Sequence, residues 1–195
     1  MKVAVVQYNA GNIQSVMFAL ERLGVEASVT DHAELLRAAD KVIFPGVGAA
    51  GAAMRSLRDK GLDRVICSLQ QPVLGICVGM QLLFEHSEED DTSCLGIIPA
   101  RVRKFSSSAD LKVPQIGWNQ LHDLQSDLFK NVEEESFVYY VHSYFAEMNP
   151  YAIATTDYGI SYAGAVARNN FYGVQFHTEK SAAVGDLILH NFLSL

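Results

Sequence analysis

No stretch of this 195-residue chain approaches the roughly 20 consecutive apolar residues that cross a bilayer, so a membrane-spanning role is not expected. The apolar run after Met1 is too short for the core of a secretion signal and lacks a small-residue cleavage site, which makes the cytoplasm the expected compartment. Cysteine is scarce. Cys67, Cys77 and Cys94 are odd in number and show no CxxC spacing, so neither a disulfide framework nor a structural zinc site is expected, and all three are read as free thiols. Positive charge is also short: 15 Lys and Arg stand against 22 Asp and Glu, for a net charge of −7, which argues against phosphate-backbone binding as the main activity. Internal repeats and low-complexity tracts are missing. What is left is 49% hydrophobic and 19% charged, an ordinary globular composition, and the length favours one domain over residues 1–195.

The apolar pattern supplies a fold class. Residues 2–7, 26–30, 41–44 and 73–76 are short apolar runs that read as buried strands. Between the first two, Ile13, Val16, Met17, Leu20 and Leu23 recur at helical spacing and Gly24 stops the helix. A second helix is expected over residues 79–85. Strands alternating with helices point to an α/β architecture whose sheet is largely parallel and covered on both faces. Further on, residues 96–104, 113–116, 136–141, 152–156, 163–168 and 171–176 all read as strands with few helices between them, so hairpins are expected there. Val184, Leu187, Ile188, Phe192 and Leu195 then mark a closing amphipathic helix. Residues 87–93 and 106–110 read as polar loops, and the acidic first of these suggests no role beyond a solvated turn.

Three segments could carry chemistry. Gly75-Ile76-Cys77-Val78-Gly79 sets a cysteine between an expected strand and helix, with glycine two residues away on each side. This is the pattern of a nucleophile elbow with sulfur in place of oxygen. The glycines suit a tight turn in which side chains would clash, the helix start favours a thiolate, and the Val78 N–H would face a developing oxyanion. A free cysteine is more often a buried structural one, the reading kept for Cys67 and Cys94. At Cys77 the setting reverses that balance. The second segment ends a strand with His177-Thr178-Glu179. A thiol needs a base and the base needs an orienting group, and in extended chain Glu179 lies on the same side as His177. His32, His86, His122, His142 and His190 lack such a setting and read as solvated or satisfied core residues. The third segment, Pro45-Gly46-Val47-Gly48, follows a strand and could bring a second N–H, from Val47 or nearby, to an oxyanion. No Gly-Lys-Ser/Thr follows it, which excludes a P-loop.

At these three motifs, and over essentially its whole length, the chain resembles the class I glutamine amidotransferases. The resemblance implies a three-layer α/β fold with a central, mainly parallel sheet and extra antiparallel strands in the C-terminal half. It also implies glutamine hydrolysis by a Cys77-His177-Glu179 triad. Val47, Gly48 and Val78 fall at oxyanion positions, and Gly46, Gln81, Ser143 and Tyr144 at substrate-binding ones. No metal or cofactor is implied. Three further segments are similar to one branch, the glutaminase subunits of imidazole glycerol phosphate synthase: Tyr8-Asn9-Ala10-Gly11-Asn12, Pro114-Gln115-Ile116-Gly117-Trp118-Asn119 and Val141-His142-Ser143-Tyr144. That branch implies a heterodimer with a cyclase subunit, to which ammonia passes in histidine biosynthesis, with Asn12, Trp118 and Lys180 at the interface. The chain departs from the usual pattern at Asn9, where glycine is common, and at Thr178, where proline is common. Alternatives are a glutaminase subunit of another synthase, such as pyridoxal phosphate synthase, a cysteine hydrolase of related fold, or a non-catalytic binding subunit.

Overall fold

In the computed structural model, which describes residues 1–8, 13–107 and 111–195, the first half of the chain alternates strand and helix as its apolar pattern dictates. The order is β1 (Val3–Val6), α1 (Ile13–Arg22), β2 (Ala27–Thr30), α2 (Ala33–Ala38), β3 (Lys41–Gly46), α3 (Ala50–Asp59), α4 (Leu62–Cys67), β4 (Val73–Cys77) and the short α5 (Val78–Gln81). Strands then dominate: β5 (Phe84–Ser87), β6 (Thr92–Ser93), β7 (Ile98–Lys104), β8 (Gln115–Gln120), β9 (Phe137–His142), β10 (Tyr144–Ala146), β11 (Ala152–Asp157), β12 (Ser161–Arg168) and β13 (Phe171–Val174), before the closing α6 (Ala182–Ser194).

A seven-stranded sheet runs in the order β11-β12-β13-β4-β3-β1-β2. Its centre is parallel, β13 and β3 flanking β4, and β1 lying between β3 and β2. The β11-β12-β13 edge is antiparallel. Every residue of β1, β3 and β4 is buried, which is why these strands are apolar without alternation. A smaller sheet, β10-β7-β5-β6, and a two-stranded β8-β9 ribbon are built from the second half. In β7 burial alternates residue by residue over Ile98–Val102, the signature of a sheet with one wet face.

The expected parallel core and C-terminal hairpins are present, but the chain departs from expectation after the elbow. The helix expected over residues 79–85 stops at Gln81, and Phe84–Ser87 pairs with β7 and β6 instead. The polar Glu-His-Ser stretch hid this strand, which exists by pairing with the two strands that follow it. The acidic loop contains a 3₁₀ turn, Glu89–Asp91, and the β6 edge. Cys67, expected inside, is exposed, while Cys94 is half-buried.

The C-terminal ends of β3 and β4 meet with Gly46 opposite Cys77. At this edge open parallel sheets bind their ligands. The glycines permit backbone to touch backbone. A Cβ on Gly79 would sit 1.9 Å from the Phe44 carbonyl oxygen, one on Gly75 2.8 Å from the Gly79 carbonyl carbon, and one on Gly46 2.5 Å from the Gly79 nitrogen. Because the Phe44 oxygen belongs to a central strand, it cannot rotate aside. Gly79→Ala is therefore expected to destabilise the fold by about 3 kcal/mol or more, by the cost of overpacking a core. Chemical denaturation checks this, and a variant within about 0.5 kcal/mol of wild type would refute the close-approach argument.

Candidate active site

Cys77 is the last residue of β4 and has the backbone angles φ 54° and ψ −111°. Its side chain is thereby turned out of the strand into a cavity of about 310 Å³. That cavity is lined by Val47, Gly48, Val78, Gln81, Ser143, Tyr144 and His177, joined by Glu89 and His142. Of the residues expected at the site, Gly46 and Glu179 do not line it. Gly46 is buried behind the elbow, and its backbone is backed by Gly79 and by the Tyr8 hydroxyl, which donates to the Pro45 carbonyl at 2.7 Å. Glu179 stands behind His177.

His177 and Glu179 form a buried pair, with Nδ1 and Oε1 2.7 Å apart and both side chains nearly inaccessible. The chain here is not extended: Thr178–Lys180 form a 3₁₀ turn, and the turn brings the Glu179 carboxylate back to the ring. The His177 backbone is fixed on both sides. Its N–H donates to the Tyr139 carbonyl, and its carbonyl accepts from Ser181 Oγ at 2.6 Å. A carboxylate only accepts, so Nδ1 carries a proton and Nε2 is the end left for chemistry. Burial alone would discharge the ring. Hydrogen bonding and charge from Cys77 and Glu179 outweigh it, and the His177 pKa rises to about 10.

A second polar group of contacts lies beside the sulfur. Gln81 Nε2 donates to the Tyr144 carbonyl at 2.8 Å and to Gln175 Oε1 at 2.9 Å. Gln175 Nε2 lies 3.8 Å from Cys77 Sγ, and the sulfur lies 3.9 Å from the Val141 carbonyl. The Tyr144 carbonyl also meets His142 Nδ1 at 2.7 Å, and His142 Nε2 lies 3.3 Å from the Tyr162 hydroxyl. Burial, above all, pushes the His142 pKa down to about 4, so this ring is neutral.

Three contributors escaped the sequence reading: Glu89, His142 and Gln175. Glu89 lies in the acidic loop to which no role was given. Its Oε2 accepts the Ala50 N–H at the start of α3 at 2.7 Å, and burial raises its pKa. No spacing rule links it to Cys77. Gln175 did carry a signal, since it stands two residues before His177 in the segment expected to be a strand, although β13 itself ends at Val174.

The profile of the family described as "Glutamine amidotransferase class-I" matches residues 4–194. An "Imidazole glycerol phosphate synthase subunit HisH" of Bacteroides fragilis is 52% identical over 196 residues, covering all of both chains. A protein of the same name from Idiomarina loihiensis is 45% identical, covering 100% of this chain and 98% of its own. The chain belongs to the class I glutamine amidotransferases, in their HisH branch. A solved structure described as a glutamine amidotransferase superposes with a TM-score of 0.75 at 18% identity, covering 98% of this chain and 97% of its own, a likeness of fold.

For a class I amidotransferase of this branch, the expected interface residues divide in two. Asn12 lies outside the described residues, as does Asn9, one of the two departures from the usual pattern. Trp118 and Lys180 are exposed and meet on Tyr139: the Trp118 ring packs edge-on at 5.9 Å, and Lys180 Nζ lies 5.9 Å from the ring centroid. Ile116 and Phe137, 63% and 53% exposed, extend the apolar surface along the β8-β9 ribbon.

Proposed function

We propose that the chain is the glutaminase subunit of an imidazole glycerol phosphate synthase, with Cys77, His177 and Glu179 as its catalytic triad. The observation that carries this reading is the His177–Glu179 pair at 2.7 Å beside an elbow cysteine, under a cavity sized for a free amino acid. The Cys77 thiolate adds to the side-chain carbonyl carbon of glutamine, forming the C–S bond. The resulting oxyanion is met by backbone N–H groups of Val47, Gly48 and Val78, each donor contributing about 3–4 kcal/mol to the transition state. Collapse breaks the C–N bond, and His177 gives its proton to the departing ammonia. The thioester sulfur carries no charge, so His177 then loses the Cys77 contribution that held its pKa up, and a neutral ring becomes accessible. It takes a proton from water, the hydroxide adds to the thioester, and collapse releases glutamate and restores the thiolate. Glutamine's own charges are matched by Glu89, which suits its ammonium group, and by the polar lining from Gln81, Ser143 and Tyr144.

The surface of exposed Ile116, Trp118 and Phe137 with half-buried Tyr139, and with Lys180 at its border, suits a protein partner. In this reading the partner is the cyclase subunit, which takes up the ammonia. The deciding experiment measures glutamate release with and without a cyclase subunit and its nucleotide ligand. Stimulation supports the reading. Equal activity in both arms, or stimulation only by a pyridoxal phosphate synthase, overturns it. Trp118→Ala is expected to weaken cyclase binding by about 2 kcal/mol or more, roughly 30-fold, as for a central aromatic anchor. Calorimetric titration measures this, and a change under threefold would remove Trp118 from the interface.

A further inference from the structure

We propose that Gln175 is a further catalytic residue, whose side-chain amide donates a hydrogen bond to Cys77 Sγ whenever the sulfur is a thiolate. The proposal rests on the triad reading and adds a role for a fully buried residue that this reading leaves unused.

The polarity of the contacts decides which end of Gln175 faces the sulfur. The Tyr144 carbonyl can only accept, so Gln81 must present its NH₂ there. The same nitrogen lies 2.9 Å from Gln175, which must answer with its oxygen. Turning Gln175 over would set two NH₂ groups against each other. Turning Gln81 over as well would set its oxygen against the Tyr144 oxygen. Only one arrangement satisfies all three groups, and it leaves Gln175 Nε2 directed at Sγ, 3.8 Å away.

The sulfur therefore has separate partners for its two states. A thiol can donate to the Val141 carbonyl at 3.9 Å. A thiolate cannot, and it is left with donors: Gln175 and the imidazolium of His177. The other titratable groups near it add no competing donor. The Tyr8 hydroxyl is committed to the Pro45 carbonyl, and burial together with Cys77 keeps it protonated. His142 is neutral, Glu179 lies behind His177, and Glu89 lies across the cavity on the N-terminus of α3. Because Gln175 is excluded from water, its N–H has no solvent to satisfy it. The same bond serves twice in the cycle: it stabilises the thiolate as nucleophile, and again as the group expelled when the thioester hydrolyses.

Gln175→Glu keeps an oxygen for Gln81 and puts a carboxylate oxygen where the donor was. Gln175→Met removes both polar groups at similar volume. In the full-length chain, iodoacetamide alkylation of Cys77 is followed against pH, with peptide mass analysis separating it from Cys67 and Cys94. Both variants are expected to shift the profile upward by about one pH unit or more, and to lower kcat for glutamine roughly tenfold with KM changed less than threefold, the scale of a lost hydrogen bond to a charge. A wild-type alkylation profile in a folded variant overturns the proposal, even if KM or melting temperature changes. Should the Glu variant not fold, the Met variant decides by the same readout. Alkylation needs no glutamine. A shifted profile in a chain that does not hydrolyse glutamine even with the cyclase subunit and its nucleotide ligand would therefore refute the triad's substrate and leave Gln175's bond standing.

Discussion

Cys77→Ala is expected to lower glutamine turnover in the assembled enzyme by about 10⁴-fold or more, since the whole covalent route is lost. Glutamine binding should persist, because the cavity and the Gln81, Glu89, Ser143 and Tyr144 contacts are untouched. The melting temperature should stay within about 3 °C of wild type, as a buried thiol and a methyl differ by only about 1 kcal/mol of packing. Glutamate release and calorimetric titration with glutamine separate the two effects. A variant that still hydrolysed glutamine at a tenth of the native rate would remove Cys77 from the chemistry altogether.

Glu179→Gln is expected to cost on the order of 10² to 10⁴ in kcat, by analogy with removing the orienting carboxylate of a triad. Two effects combine. An amide can turn its NH₂ toward Nδ1 and impose the opposite ring tautomer, and the negative charge that helps hold the imidazolium disappears. The sign of the pH effect follows. His177 has its pKa raised to about 10, so in the native enzyme it keeps its proton across the neutral range. Losing the Glu179 contribution moves that pKa back toward its ordinary value, so the alkaline limit of the rate of ammonia release should move to lower pH. Single-turnover kinetics between about pH 6 and pH 10 read this limit. An unchanged alkaline limit would mean that Glu179 acts through geometry alone.

The central sheet was legible because both faces of β1, β3 and β4 are covered, which forces apolar runs that no surface segment shares. The elbow was legible for a steric reason. Gly75 faces the Gly79 and Met80 backbone and Gly79 faces the Phe44 carbonyl of β3, so glycine at that spacing reports close backbone contact on both sides of the cysteine. What stayed hidden depends on residues outside the segment itself. Phe84–Ser87 is a strand because β7 and β6 are there to receive it, and its own side chains say little. Glu89 reaches the cavity only because α3 offers it an N–H from Ala50, and His142 is neutral because the aromatic cluster of Phe105, Tyr140 and Tyr162 surrounds it. His177 and Glu179 fall between these cases. Their pairing was readable from spacing, and the 3₁₀ turn that makes it was not.

The backbone at Cys77 has a consequence for how this protein can change over generations. With φ 54° and ψ −111°, the residue occupies a region that only glycine enters without penalty, and any side chain there burdens the folded state by about 1–3 kcal/mol. A lineage released from the need to hydrolyse glutamine, and selected for persistence of the fold alone, would drift to glycine at this position. In the reading proposed above, the sulfur at residue 77 therefore serves turnover at a standing thermodynamic cost to the fold.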